Sequence, residues 1–164
     1  MKKRLEIILL CFLGVFIFSG ASKTVVVKKG SKVTMDYTLT VDGKVIDSSK
    51  EHGPFTYTQG NGEIIPGLEK GIAGMQVGEE KEIVVSPADA YGEINPQNFR
   101  EVKRSTLPPN IKPKAGMMLQ ARTANGKVIP VKIAKVNKDT VVLDFNHPLA
   151  GKTLKFDVKI LSIK

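Results

Sequence analysis

Residues 63–80 read EIIPGLEKGIAGMQVGEE, and their spacing departs from that of the chain on either side. Pro66 can open a helix, Leu68, Ile72 and Met75 follow at steps of four and three, and Gly78 can close it. Elsewhere apolar and polar residues alternate with a period of two, the pattern of half-buried strands. One short helix in a β-rich chain predicts an α+β architecture, the helix packed on an antiparallel sheet.

Upstream of the helix, Val33, Met35, Tyr37 and Leu39 alternate with Thr34, Asp36, Thr38 and Thr40, a strand with one buried face. Asp42-Gly43 is a two-residue hairpin signal, and Val45-Ile46-Asp47 begins the returning strand. A loop over residues 50–53 follows, and residues 54–57 resume a strand. Downstream, residues 80–85 make another strand, and PADAYG at 87–92 turns out of it. Residues 153–161 alternate again and form the last strand.

Between residues 93 and 146 the texture changes. Five of the nine prolines (Pro96, Pro108, Pro109, Pro113 and Pro130) fall there. The segment carries 10 basic and 4 acidic residues, net +6. Strands at 118–124, 128–136 and 140–145, separated by Asn125-Gly126 and by residues 137–139, predict a three-stranded meander. The final strand returns to the first sheet, so residues 93–146 read as a small β-rich module inserted in a domain made of 22–92 and 147–164. The positive surplus has two readings: a solvated surface, or a basic face that meets acidic polypeptides or anionic lipid. No nucleic-acid recognition motif is present, and few aromatics interleave with the basic residues.

Residues 1–21 have the layout of a secretory signal peptide. Lys2, Lys3 and Arg4 precede the apolar run IILLCFLGVFIF at 7–18, and Ser19-Gly20-Ala21 offers small residues for cleavage. Export to the periplasm or envelope is expected. The alternative is an inner-membrane anchor through residues 7–18, a run short of the ~20 residues that span a bilayer. Cys11 is the only cysteine, so a cleaved chain has no disulfide, thiol nucleophile or thiolate metal site. The remaining residues are enough to bury a core without such staples.

Catalytic groups of the usual kinds are scarce. His52 and His147 are the only histidines, there is no Gly-x-Ser-x-Gly elbow, and no His, Cys and carboxylate cluster suggests a metal. GNGE at 60–63 lacks the Gly-Lys-Ser/Thr of a phosphate cradle. No cofactor or metal is expected. What remains is a set of bulky side chains near turns, among them Tyr37, Ile46, Phe55, Tyr57, Ile64 and Tyr91. By periodicity alone they read as core; gathered on a concave face they would line an apolar pocket.

The order of motifs bears on that choice. VDGKVIDSS at 41–49, GPFTYTQGNGEIIPGLEKGIAGMQVGE at 53–79, VSPADAYGE at 85–93 and LKFDVKIL at 154–161 resemble the FKBP-type peptidyl-prolyl isomerases. NHPLAGKTLKFDV at 146–158, preceded by the inserted module, is similar to the SlyD-like branch. The resemblance implies an FKBP-like antiparallel sheet wrapped on one short helix, and a flap insertion acting as a chaperone on unfolded chain. It implies a catalytic set of Tyr37, Asp47, Ile65, Tyr91 and Phe156, and a substrate-binding set of Ile46, Phe55, Ile64, Leu68 and Leu149. In that reading Leu68 forms the pocket floor, and the Ile65 N–H and the Tyr91 hydroxyl donate to the substrate backbone. Asp47 either orients pocket side chains or is a turn residue. Leu68 and Ile46 stand where many relatives carry Trp and Phe, which makes the pocket less aromatic. The expected protein is a monomeric isomerase and folding chaperone for unfolded or proline-containing polypeptides, with membrane contact only if the leader is uncleaved. The alternative is a catalytically weak holdase.

Overall fold

The computed structural model describes residues 25–122 and 125–164. The expected leader at 1–21, with its apolar run at 7–18, lies outside the described residues.

Two antiparallel sheets carry the fold. The first contains β1 (Lys32–Val41), β2 (Lys44–Ser48), β3 (Phe55–Thr58), β4 (Glu80–Val85) and β9 (Leu154–Ile163). Its order is β2-β1-β9-β4, and β3 shares the outer edge of β1 with β2. The last strand is therefore an inner strand: Phe156 sits opposite Leu39 of β1 and Ile83 of β4. The alternation of β9 puts Leu154, Phe156, Val158 and Ile160 on the buried face. Asp42 (φ +49°) and Gly43 (φ +77°) make the tight β1–β2 turn that the Asp-Gly pair predicts.

Helix α2 (Pro66–Ile72) crosses the concave face of this sheet, burying Leu68 and Ile72 among Met35, Tyr57, Ile83 and Phe156. Gly67 and Gly71, one turn apart, face β4. A Cβ on Gly71 would come within 2.5 Å of Ile83 Cγ2, and one on Gly67 would overlap Val85. The two glycines thus set the close approach of helix to strand, despite their poor helix propensity.

The helix ends earlier than its sequence spacing predicts. Gly74, not Gly78, takes the left-handed conformation directly after it (φ +84°), and its N–H donates to Val27 O at 2.8 Å. Val27 N in turn donates to Met75 O at 2.9 Å, so an incoming segment catches the chain and stops the helix. Met75 is still buried, which is why the apolar spacing runs past the helix end. A second helix, the single turn α1 (Ser49–His52), occupies the predicted 50–53 loop, with Ser48 as its N-cap accepting from Lys50 N.

The second sheet has the order β5-β8-β7-β6, from β5 (Phe99–Lys103), β6 (Met118–Arg122), β7 (Val128–Val136) and β8 (Thr140–Asp144). The expected meander is present, and β5 adds a fourth strand on β8. FREVK has little apolar alternation, so nothing in its pattern announced it. Val131, Ile133, Val141 and Leu143 form a small core of their own. The two segments joining the sheets are tied by Asn146, which is buried. Its Oδ1 accepts from Asn95 N (2.9 Å) and Asn98 Nδ2 (3.1 Å), and its Nδ2 donates to Asp144 Oδ1 (2.7 Å).

Candidate functional site

Between α2 and the first sheet lies an open cavity of about 530 Å³. Each wall follows from strand parity. The face of β1 that buries Met35 also points Tyr37 and Leu39 inward, and the same face of β9 offers Phe156. Phe55 closes the side from β3, and Leu68 of α2 forms the floor, almost fully buried. Ile64 and Ile65 line the approach to the helix, and Tyr91, 40 % exposed, stands at the rim, beyond the turn after β4.

Tyr37, Asp47, Phe55, Ile64, Ile65, Leu68, Tyr91 and Phe156 are brought together around this one space. Ile46 is not. Ile46 is the extra residue of a bulge in β2, between Asp47 opposite Leu39 and Val45 opposite Thr40, and it is 48 % exposed. Leu149 packs against the adjoining core instead of lining the cavity. Met35, Leu39 and Ala90 line it without having been singled out. For Met35 and Leu39 the signal was there, because they alternate in step with Tyr37.

The polar atoms divide into engaged and available. Tyr37 Oη donates to Asp47 Oδ2 at 2.7 Å, and Asp47 Oδ1 accepts from Ser48 N at 2.8 Å. Burial, then the hydrogen bond and charge of Asp47, push the Tyr37 phenol up to about 12, so it stays protonated. Asp47 thus holds a hydrogen bond to a side chain that lines the cavity. The Tyr37 ring also meets Phe55 edge-on, centroids 6.3 Å apart. By contrast, Tyr91 Oη and the Ile65 N–H have no partner among the described residues. Those two donors are free to bond an incoming backbone.

His147, one of the two histidines, has a specific position beside the cavity rim. Its imidazole stacks on the Tyr91 ring, centroids 3.8 Å apart and planes 7° from parallel. Its Nδ1 accepts from Leu149 N at 3.1 Å, which requires a ring with no proton on that nitrogen. Burial lowers its pKa. Proximity to Tyr91 in space, across more than fifty residues of chain, left no local trace in the sequence.

A second concavity, of about 590 Å³, opens on the opposite face of the sheet and is lined largely by charged side chains. Glu80 and Lys159 pair there at 2.7 Å. Among the described residues no three His, Cys, Asp or Glu side chains converge as a metal centre needs.

A prolyl peptide needs what the first cavity has: apolar walls for the ring and a few donors at the rim. Comparison with known proteins agrees. Residues 23–161 match the family described as FKBP-type peptidyl-prolyl cis-trans isomerase. The chain is 41 % identical over 153 residues to the short-type peptidyl-prolyl cis-trans isomerase of Methanocaldococcus jannaschii, covering 84 % of this chain and 94 % of that one. It is 41 % identical over 133 residues to the FKBP-type peptidyl-prolyl cis-trans isomerase SlyD of Treponema pallidum, covering 80 % and 75 %. With SlyD of Escherichia coli K12 the identity is 36 % over 139 residues, covering 84 % and 70 %.

Proposed function

This chain belongs to the FKBP-type peptidyl-prolyl cis-trans isomerases, in their SlyD-like branch, and on that premise we propose how it works on its substrate: the cavity under α2 holds the proline while residues 93–146 capture unfolded polypeptide. The observation that carries the first half is the apolar cavity with two unengaged donors at its edge.

Isomerisation requires rotation about a C–N bond whose partial double-bond character sets a barrier of ~18–20 kcal/mol. No covalent step is needed. The twisted amide has lost its resonance and its carbonyl is less polar, so an apolar pocket disfavours the planar, charge-separated ground state relative to it. Met35, Leu68 and Phe156 supply those surroundings. The Ile65 N–H donates to a carbonyl next to the proline, and the Tyr91 hydroxyl donates to the substrate backbone as the bond turns. Tyr37, held by Asp47, keeps one wall fixed. An acceleration of five decades asks about 7 kcal/mol of such selective stabilisation.

Capture rests on the second sheet, which has its own core and is joined to the first beside the pocket. Substrate held there raises the local concentration of prolyl bonds at the cavity. The protein acts as a monomer, without cofactor, on folding polypeptides. Residues 1–21 direct export, so these are envelope proteins; N-terminal sequencing of the exported form should begin after Ala21, and a protein found intact in the inner membrane would replace this with anchoring.

The test compares isomerisation of a short proline peptide with refolding of an unfolded, proline-limited protein. Capture predicts a much larger kcat/KM on the protein. Equal values would leave the pocket and remove the capture role.

A further inference from the structure

On and beside the first sheet, Lys155 pairs with Glu82 at 2.6 Å, Lys159 with Glu80 at 2.7 Å and Lys152 with Asp42 at 2.7 Å, while Lys32, Lys44 and Lys81 belong to no ion pair among the described residues. On the second, the solvent-facing side carries Lys103, Arg122, Lys132 and Lys135 against Glu101 and Asp144. Both carboxylates are already engaged. Glu101 accepts from Thr140 Oγ1 and from Asn137 Nδ2, and Asp144 Oδ1 accepts from Asn146 N and Nδ2. Lys103, Arg122 and Lys132 belong to no ion pair among the described residues.

The same side is apolar between its charges. One row across all four strands reads Met118, Lys132, Asp144, Phe99. Met118 is 51 % exposed, Val128 52 % and Phe99 36 %. Apolar contact gives the attraction and the unmatched cations give it a sign.

We propose that this face selects among unfolded clients, preferring segments in which apolar residues are flanked by Asp or Glu. The inference rests on the capture role of residues 93–146 and names the chemistry of what is captured. Charge complementarity is the reason for a polypeptide of that sign: each acidic side chain that docks finds a cation with no competing internal partner.

The test uses the full chain and two proline-free peptides with identical apolar residues, one flanked by Glu and one by Lys, labelled for fluorescence anisotropy. The expected result is about tenfold tighter binding of the Glu-flanked peptide at low ionic strength, with the difference shrinking as salt shortens the screening length. Arg122→Glu with Lys132→Glu should reverse the preference, with circular dichroism verifying the fold. Equal affinity for both peptides overturns charge selection and leaves capture standing. Binding of neither peptide overturns capture and charge selection together. Binding to vesicles containing phosphatidylglycerol, with neither peptide held, overturns the proposal in favour of a lipid surface.

Discussion

The imidazole of His147 lies flat against the ring of Tyr91, 3.8 Å between centroids. Tyr91 sits on the segment entering the second sheet and His147 on the segment leaving it, and Gly151 N donates to Gly92 O at 2.8 Å beside them. The rim of the cavity is therefore also the joint between the two sheets. A shift of one connecting segment is felt by the side chain at the pocket edge.

Tyr91→Phe keeps the stack and removes the hydroxyl. A single hydrogen bond made in the transition state is worth about 1 kcal/mol, so kcat/KM for a proline peptide should fall about fivefold to tenfold. Thermal stability should hardly change. An unchanged rate would remove the hydroxyl from the mechanism.

His147 makes stability depend on pH. Burial lowers its folded-state pKa below the ordinary 6.5. The unfolded chain therefore takes up the proton more readily. This contribution is fully present above about pH 6.5 and is lost as pH falls through the folded-state value. Protonation also removes the acceptor of the Leu149 N–H. Calorimetric Tm should drop from pH 7.5 towards pH 5 in the native chain, and His147→Phe, which keeps a ring on Tyr91, should flatten that fall. Carboxylates held low by partners, Glu80 and Glu101, titrate below this window.

Asp47→Ala should lower the pKa of Tyr37 from about 12 without returning it to 10, because burial, the largest cause, remains. Ultraviolet titration of tyrosinate, with Tyr37→Phe to assign the signal among three tyrosines, measures it. The freed ring should raise KM more than it lowers kcat. A Tyr37 pKa that stays at its native value would show that Asp47 is only a turn residue.

Gly71→Ala decides between two opposed effects. Alanine gains about 1 kcal/mol of helix propensity over glycine. Its Cβ would press on Ile83 Cγ2 at 2.5 Å and Ile83 Cδ1 at 3.0 Å. Overpacking of that kind costs about 1–3 kcal/mol, so the variant should be less stable in urea titration. A stabilised variant would show that the helix can lift from β4 at no cost.

Legibility in the sequence followed the range of the physics. Period-two runs such as Val33 to Leu39 and Leu154 to Ile160 reported their strands, because one buried face writes itself into local order. The end of α2 did not, since Gly74 is held by Val27, a partner far back in the chain. Strand β5 was silent because FREVK contributes one half-buried Val102 and takes its register from β8. In the pocket, the resemblance supplied Tyr37, Phe55, Leu68, Tyr91 and Phe156. It also supplied Ile46, which sits exposed at the bulge in β2 and does not line the cavity. The tie between Tyr91 and His147 is a contact between distant segments and has no pattern to leave.

Because β9 lies between β1 and β4, neither of those strands has its inner neighbour until residues 154–163 have been synthesised. Phe156, a wall of the pocket, comes with them. All four strands of the other sheet have been synthesised by then, the latest of them ending at Asp144. During its own biosynthesis the protein thus has every strand of its second sheet before the last wall of the cavity under α2.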